Sequence, residues 1–167
     1  PTEATEEAEE ATEETVEDIA LFADDGDVVA SGECGENGNN LTWVLTEDGT
    51  LTISGSGEME NYTDPSDVPR YSERDKILSV VVEPGVTRIG DWAFYGCSSL
   101  TSVAIPKGVT SIGKLAFRSC SSLSSVTIPA GVTSIGHSAF AYCSSLTSVP
   151  IPVGVTSLRN FAFSACS

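Results

Sequence analysis

The sequence has few basic residues, a single histidine and no long apolar run, and each of these shortages excludes a class of function. Eight Lys and Arg residues stand against 24 Asp and Glu, which gives a formal net charge of −16. A nucleic acid or an anionic membrane is bound by a dense basic surface, so neither is expected as a partner. No apolar run approaches the roughly 18–20 residues of a membrane-spanning helix, and we therefore expect no membrane insertion.

The first 27 residues contain no basic residue at all. They hold 12 acidic side chains, and residues 2–15 form a Thr/Glu/Ala tract without an apolar stripe. Such a segment buries too little apolar surface to offset its ordering entropy, so residues 1–27 are predicted to be a disordered acidic tail or linker. Ile19, Leu21 and Phe22 are its candidates for docking on the folded part. Because an initiator Met and a signal peptide are lacking, we expect a chain that is processed or excerpted from a longer protein.

Residues 28–76 are predicted to form a β-hairpin module. Residues 41–46 and 50–54 alternate apolar with polar side chains, which is typical of half-buried strands. The intervening Asp48-Gly49 pair is a strong hairpin signal. The shared apolar face would comprise Trp43, Leu45, Leu51 and Ile53. Because a lone hairpin is marginal in water, we expect it to cover one end of the following segment as an N-terminal cap.

From residue 77 onward the sequence repeats every 23 residues, in units 77–99, 100–122, 123–145 and 146–167. Five columns hold the same kind of residue in every unit. They are Ile77/Leu100/Leu123/Leu146, Val80/Val103/Val126/Val149, Gly85/Gly108/Gly131/Gly154, Phe94/Phe117/Phe140/Phe163 and Cys97/Cys120/Cys143/Cys166. A unit of this length lies in the range of leucine-rich repeats, in which each unit forms one turn of a solenoid.

Each unit is predicted to supply two strands and a turn. Leu123, Val126 and Ile128 would point inward from a parallel strand, with Ser and Thr between them facing outward. The Gly-Val-Thr-Ser-Ile-Gly run suits a second short strand on the opposite wall, and Ala-Phe-x-x-Cys would turn the chain back with Ala and Phe inside. The predicted fold is therefore a mainly β repeat solenoid, a right-handed parallel coil with an N-terminal hairpin cap.

The cysteine column is predicted to contain structural thiols. Stacked turns aim the side chains of one column in the same direction, so Cys97, Cys120, Cys143 and Cys166 are expected to be unbridged. Cys34 lies outside this column, and the sequence leaves its partner open.

These columns resemble the BspA-like, treponemal-type leucine-rich repeats of bacterial cell-surface and secreted proteins. Residues 31–36, 41–43 and 48–57 resemble the segment that often precedes such repeats, so the resemblance covers roughly residues 31–167. It implies surface display and protein-mediated adhesion or host interaction, without a shared catalytic site.

Three positions depart from the repeat pattern. Arg159 stands where the other units have Gly, Glu83 replaces the usual Pro, and Pro150 sits inside a predicted strand. Pro150 lacks a donor for the strand ladder, so pairing should weaken near the last turn. No polar capping unit follows the last cysteine column, so we expect further sequence or a protecting partner at that end.

No residue pattern typical of catalysis or metal binding is found in the sequence. A catalytic His137 would need an orienting acid and a nucleophile nearby, and no acidic residue follows Asp91. The 23-residue cysteine spacing is unlike the short Cys pairs of zinc sites, and the acidic turns do not match a calcium-binding EF-hand loop. We therefore predict no enzymatic activity, no cofactor and no metal.

Two exposed surfaces are candidates for partner binding. The first, the variable ridge, comprises Asp91, Trp92, Tyr95, Lys114, Arg118, His137, Tyr142, Arg159 and Asn160. The second, an uncharged strand face, comprises Thr101, Ser102, Ser124, Ser125, Thr127, Thr147 and Ser148. Aromatic and Arg residues are enriched among interface anchors, which favours the variable ridge.

Three classes of function compete at this point. The favoured one is a secreted or surface-displayed, non-catalytic protein-binding or adhesion module, with a host surface or matrix protein as a candidate ligand. The second is a targeting segment of a larger secreted enzyme that recognises wall polymer or glycan. A catalytic domain is disfavoured by the missing acid, base and nucleophile. The expected location is extracellular or at the cell surface, and the sequence sets no oligomeric state.

Overall fold

The computed structural model of the chain describes residues 27–166 and contains ten β-strands in two sheets. The strands are β1 (Val28–Gly35), β2 (Gly38–Thr46), β3 (Thr50–Gly55), β4 (Gly57–Glu58), β5 (Ser79–Val82), β6 (Val86–Ile89), β7 (Ser102–Ala104), β8 (Ser111–Ile112), β9 (Ser134–Ile135) and β10 (Ser157–Leu158). Sheet A has the order β1-β2-β3-β5-β7, and sheet B has the order β10-β9-β8-β6-β4. Two 3₁₀ helices cover Pro65–Asp67 and Tyr71–Lys76, and residues 27–166 contain no α-helix.

The predicted acidic tail falls almost entirely outside the described residues, which begin at Asp27. The expectations for residues 1–26, including docking by Ile19, Leu21 and Phe22, therefore stay predictions.

Strands β2 and β3 pair antiparallel around the Asp48-Gly49 turn. Gly49 has a φ of 82°, which suits glycine, and the Thr50 amide donates a hydrogen bond of 3.0 Å to the Asp48 carboxylate. The apolar face predicted for this pair is buried. The sequence did not predict β1, which pairs antiparallel with β2; its Gly and Ser residues weaken any strand signal.

The repeats pair in parallel across both sheets. In sheet B, Ser111 and Ile112 lie opposite Ser134 and Ile135, one 23-residue unit further on. This confirms the second predicted strand of the repeat unit, which pairs in a sheet separate from sheet A.

Sheet A is shorter than the sequence predicted. It ends at β7, and residues 123–128 and 146–151 contain no strand. Leu123, Val126 and Ile128 are nevertheless buried, as predicted. The strand is already missing from residues 123–128, which contain no proline, so the effect expected of Pro150 in the last unit stays a prediction.

The interior is built from the repeated columns. The rings of Phe94, Phe117, Phe140 and Phe163 stack with centroid separations of 5.1, 5.2 and 5.3 Å. The amide of each of the first three donates a 2.7 Å hydrogen bond to the carbonyl of the alanine one unit further on, as from Phe94 to Ala116. Packing and backbone pairing therefore both link each unit to its neighbours, as in other repeat folds.

Arg70 ends the phenylalanine stack at its N-terminal side. Its guanidinium lies 4.9 Å from the centroid of the Phe94 ring, and its Nη2 donates a 2.7 Å hydrogen bond to the carbonyl of Ala93. Ala93 is the first of four alanines that recur every 23 residues. The carbonyls of the other three, Ala116, Ala139 and Ala162, accept hydrogen bonds from phenylalanine amides instead. A single buried side chain thus provides both the flat surface and the donor that a preceding unit would provide.

The segment that precedes the first repeat pairs with that repeat in the same way as consecutive repeats pair with each other. β3 is parallel to β5, and β4 is parallel to β6. The Tyr62 amide donates to the Asp91 carbonyl at 3.3 Å, just as the Trp92 amide donates to the Lys114 carbonyl at 2.9 Å. The hairpin therefore joins the repeats through the edge of β3, strand to strand.

Two positions in every unit adopt the left-handed backbone conformation. One column comprises Trp92, Leu115, Ser138 and Phe161, with φ between 53° and 63°, and the other comprises Gly96, Ser119, Tyr142 and Ala165, with φ between 56° and 71°. Only one of these eight residues is glycine, so the sequence did not reveal this turn geometry.

Candidate functional site

A polar groove of about 560 Å³ crosses sheet B where its strands end. Its lining residues are Asn61, Arg88, Asp91, Ser111, Ile112, Gly113, Lys114, Ser134, Gly136, His137, Arg159 and Asn160. We call this surface the sheet B groove. Residues from all four units line it, so it runs from one repeat to the next.

One wall of the groove is the column Asp91, Lys114, His137 and Asn160. The backbone carbonyl of Lys114 accepts a hydrogen bond from the amide of Trp92, the residue that follows Asp91. The carbonyls of His137 and Asn160 accept equivalent bonds from the amides of Leu115 and Ser138, and all three distances are 2.9–3.1 Å. Because these backbone groups are fixed and the following residue is left-handed, the four side chains stand at regular intervals along the groove. Lys114, His137 and Asn160 are exposed.

The floor of the groove contains glycines for a steric reason. A Cβ on Gly113 would lie 2.6 Å from the backbone nitrogen of Asp91, and a Cβ on Gly136 would lie 2.5 Å from that of Lys114. Both distances are shorter than real Cβ contacts, so these glycines permit the close approach of consecutive turns. Arg159 occupies the same column in the last unit and makes the same backbone bond, to Ile135 at 3.1 Å. Its side chain lines the C-terminal end of the groove.

The charges in the groove are unevenly paired. Arg88 forms ion pairs with Glu58 and with Glu36, the latter at 3.5 Å. The Asp91 carboxylate accepts a 2.7 Å hydrogen bond from the Lys114 backbone amide. Within residues 27–166, neither the Lys114 ammonium nor the Arg159 guanidinium has an acidic partner, and both side chains are exposed. Lys114 in the second unit and Arg159 in the last are therefore the two groove cations that form no ion pair in this part of the chain.

The aromatic members of the variable ridge lie apart from the groove lining. Trp92 and Tyr95 are half-buried, with ring centroids 4.9 Å apart. They line a small internal space together with Tyr71 and Arg74 of the second 3₁₀ helix. This pair packs the first repeat against the residues that precede it.

A second pair of ridge residues forms a cation–π contact. The Arg118 guanidinium lies 4.9 Å from the centroid of the Tyr142 ring, which is 51% exposed. The variable ridge thus consists of three groups: the groove wall with Arg159, the Trp92–Tyr95 pair and the Arg118–Tyr142 pair.

Sequence reasoning missed several groove residues. Arg88, Ser111 and Ser134 belong to one column of sheet B, and the 23-residue register could have revealed their shared face. Asn61 gave no such signal because it precedes the repeats. Its side-chain oxygen accepts a 3.0 Å hydrogen bond from the Asp91 amide.

The comparison with protein families agrees with this geometry. A model of the BspA type leucine-rich repeat region matches residues 70–167 in six copies. The chain belongs to this family. The resemblance that the sequence columns carry is thereby confirmed.

Solved structures of other bacterial leucine-rich repeat proteins are similar to this BspA-type chain. One from Eubacterium ventriosum is 34% identical with a TM-score of 0.64, and the match covers 78% of this chain and 40% of that one. The T. pallidum leucine-rich repeat protein is 25% identical with a TM-score of 0.59, covering 76% and 65%. One from Bacteroides ovatus is 28% identical with a TM-score of 0.55, covering 74% and 37%. The chain thus spans between 37% and 65% of the length of these relatives, and no curated protein matches it.

His137 has a simple environment in this BspA-type chain. Its ring is exposed and contacts the Phe161 ring edge-on at 5.8 Å. The described residues contain no group of three His, Cys, Asp or Glu side chains that could hold a metal ion. Among residues 27–166 there is also no helix long and apolar enough to cross a membrane.

The five cysteines, all within the described residues, are free thiols. Cys120 and Cys143 donate to the carbonyls of Phe94 and Phe117 at 3.3 and 3.2 Å, in each case one unit back along the stack. Burial raises the pKa of the Cys97 thiol to about 12. A neutral, buried thiol is a poor nucleophile, so Cys97, Cys120 and Cys143 pack the interior, whereas Cys166 in the last unit is only half-buried.

Proposed function

We propose that this chain is a non-catalytic protein-binding module of the leucine-rich-repeat type, displayed on the cell surface or secreted, with adhesion as its role. The observation that carries the proposal is the sheet B groove, in which the exposed Lys114, His137 and Arg159 line a concave surface built by the repeats. Leucine-rich repeats generally mediate protein interactions, and membership of the family supports this class of function.

The architecture that we propose for this role is a right-handed parallel solenoid with an N-terminal hairpin cap. Its parts are an acidic linker over residues 1–27, a capping module over 28–76 and four repeats over 77–167. Stacking of the phenylalanine rings and the parallel pairing in sheet B support this arrangement.

The chemistry of the groove favours an acidic protein ligand, such as a host surface or matrix protein with an acidic patch. Uncompensated cations attract acidic partners and make association sensitive to salt. The variable ridge supplies further contact area through Tyr142, which is half-exposed beside Arg118. The interior columns are fixed by packing, whereas the groove wall carries four different side chains and is free to determine specificity.

An alternative is a targeting segment of a larger secreted enzyme that recognises wall polymer or glycan. The Ser and Thr side chains of the uncharged strand face favour it, because hydroxyl groups hydrogen-bond readily to sugars.

A binding screen against immobilised extracellular-matrix proteins and cell-wall glycans separates the two functions. We expect capture of a protein that is lost in the Lys114→Ala/Tyr142→Ala/Arg159→Ala variant. The matched control is Ser102→Ala/Ser125→Ala/Thr147→Ala on the strand face, which should bind as the unsubstituted chain does. Trp92 and Tyr95 are left in place because their removal would also disturb the packing around Tyr71 and Arg74. Loss of binding only in the strand-face variant would contradict the proposal and favour the alternative.

A further inference from the structure

A small cavity lies at the junction between the second 3₁₀ helix and the first repeat. We call it the junction cavity. Its volume is about 10 Å³, which is close to the volume that a single water-sized particle needs. The sheet B groove and this cavity have no lining residue in common. Two guanidinium side chains line the cavity together with aromatic residues and a thiol: Arg70, Arg74, Tyr71, Trp92, Tyr95 and Cys97.

Arg70 brings to this cavity a buried positive charge that has no ionic partner. It is 2% exposed, and two of its guanidinium nitrogens, Nε and Nη1, lack a hydrogen-bond partner in the part of the chain that the structure describes. Its Nη2 donates to the carbonyl of Ala93, which is a neutral acceptor. No carboxylate of residues 27–166 forms an ion pair with Arg70 or Arg74. Because an unpaired buried charge is costly, a negatively charged ligand would stabilise this site.

The titratable groups around the buried guanidinium do not provide this negative charge. Burial raises the pKa of the Cys97 thiol and of the Tyr62 phenol to about 12, so both groups are neutral at pH 7. Burial also raises the pKa of the Cys34 thiol. The carboxylates that act on these three groups, Glu60 and Asp75, belong to exposed residues. The compensating charge must therefore come from outside the described residues.

We propose that the junction cavity binds one monatomic anion, with chloride as its ligand in solution. The anion accepts hydrogen bonds from Nε and Nη1 of Arg70 and supplies the negative charge that Arg70 and Arg74 lack. A water molecule would accept the same hydrogen bonds but would leave the charge of Arg70 unbalanced. Sulfate and organic anions are too large for a cavity of this volume. The inference goes beyond the proposed function, because the site is separate from the sheet B groove.

The surroundings of the cavity permit entry of a small ion. Tyr71, Arg74, Trp92 and Tyr95 are half-buried, so one wall of the cavity consists of side chains that reach the surface. These side chains can adjust to an ion slightly larger than water without displacing the buried interior. Because Arg70 is held in place against Phe94 only in the folded chain, the anion binds the folded chain and thereby stabilises it.

Thermal unfolding of the full chain in sodium chloride and in sodium gluconate, at equal ionic strength, tests this site. We expect the melting temperature to be about 3 °C higher in 0.3 M chloride. An ion that binds only the folded chain, at about ten times its dissociation constant, lowers the unfolding equilibrium constant about tenfold. The rise should saturate with chloride concentration. Equal melting temperatures in the two salts would overturn the proposal.

Two control variants accompany the substitution that removes the site. Arg70→Met keeps a long unbranched side chain against Phe94 but removes the charge, so the difference between the two salts should vanish. Arg118→Gln is the matched control, because Arg118 lies 4.9 Å from the Tyr142 ring centroid, as Arg70 does from that of Phe94, but does not line the cavity. It should keep the full difference. A chloride effect that survives Arg70→Met would contradict the assigned site.

The second control, Lys114→Gln/Arg159→Gln, removes the two unpaired cations of the groove and should also keep the chloride effect. Loss of the effect in this variant would place the anion in the groove and overturn the inference. The proposed function fails separately, if protein capture ignores the groove substitutions.

Crystals of the unsubstituted chain grown in sodium bromide locate the ion without any variant. Bromide replaces chloride and is recognised by its anomalous scattering. We expect a bromide peak within hydrogen-bonding distance of Nε or Nη1 of Arg70. A water molecule at that place, with no anomalous signal, would overturn the proposal.

Discussion

Gly108 and Gly113 belong to two glycine columns of the repeat and differ in the space around them. A Cβ on Gly113 would lie 2.6 Å from the backbone of the preceding unit, whereas a Cβ on Gly108 would lie 3.7 Å from the nearest atom, the Val86 carbonyl oxygen. Neither residue has a positive φ. Steric space alone therefore distinguishes the two positions within a single repeat.

The same substitution at these two positions should have opposite outcomes. Gly113→Ala forces backbone atoms apart and should lower the free energy of unfolding by about 1–3 kcal/mol. Gly108→Ala should change it by less than about 1 kcal/mol, because alanine fits there and restricts the unfolded chain. Urea unfolding measures both free energies. Equal losses of stability would show that the close approach of consecutive turns is not the reason for glycine at position 113.

Ser119 holds a left-handed position with a φ of 65°, where the equivalent residue in the first unit is Gly96. Ser119→Gly should raise the free energy of unfolding by about 0.5–1 kcal/mol, since glycine avoids the cost of this conformation. Ser124→Gly, at an exposed position with ordinary φ, is the control and should lower it slightly. Thermal or urea unfolding measures both variants. If Ser119→Gly lowered the free energy of unfolding as much as Ser124→Gly does, the left-handed backbone at Ser119 would not be strained.

The buried thiols should make the fold sensitive to alkali. Burial raises the pKa of Cys97 and Cys143 to about 12, from an ordinary value of 9.0, and raises the pKa of Tyr62 to about 12 from 10.0. Between about pH 9 and pH 12 the unfolded chain loses protons that the folded chain retains, so the free energy of unfolding falls as pH rises. Urea unfolding at pH 7, 9 and 11 measures this decline. Cys143→Ala should flatten it, and a constant stability up to pH 11 would be inconsistent with buried thiols.

Besides the strand pairing, the phenylalanine stack links the repeats to the preceding residues through Arg70. Arg70 is buried, stacks on Phe94 and hydrogen-bonds to the carbonyl of Ala93. Two of its guanidinium nitrogens, Nε and Nη1, have no hydrogen-bond partner in the described part of the chain. The planar stacking, the bond to the Ala93 carbonyl and the longer contact of Nη2 with the Met59 sulfur at 3.9 Å must therefore compensate for much of the cost of burial.

Replacing Arg70 by Lys should be costly although it preserves the charge. An ammonium cannot stack as a guanidinium does, and it would be buried without a partner, so we expect a loss of about 2–3 kcal/mol. Arg74→Lys is the matched control, because Arg74 lies over the Tyr71 ring at 4.1 Å but is only half-buried. It should cost less than about 1 kcal/mol. Similar losses for both substitutions in chemical unfolding would contradict the role of Arg70 as the end of the stack.

Across the whole molecule, the sequence predicts those features that recur with the 23-residue period. The inward positions of Leu123, Val126 and Ile128, the strands of sheet B and the Asp48-Gly49 turn follow from alternation and turn chemistry, and the structure bears them out. These features are local, so residue type and spacing are sufficient to locate them.

Other features could not be predicted because they depend on three-dimensional neighbours. Arg70 precedes the repeats and resembles no phenylalanine, yet it takes the place of one in the stack. The groove is lined by members of the predicted variable ridge and also by Arg88 and Asn61, which were not part of that prediction. The aromatic pair Trp92 and Tyr95 was predicted to be on the surface with the cations, but it is half-buried against the second 3₁₀ helix. Burial by a non-repetitive segment gives no periodic signal.

The central claim, that the sheet B groove binds an acidic ligand, is tested most directly by two charge reversals within one repeat. Lys114→Glu alters the groove, and Lys107→Glu makes the same change of net charge at an exposed site outside it. Binding of a fluorescent hexaglutamate peptide to the full chain is measured by anisotropy at low salt. We expect at least a tenfold loss of affinity for Lys114→Glu and less than a twofold loss for Lys107→Glu. Equal losses would mean that general charge, and not the groove, governs binding.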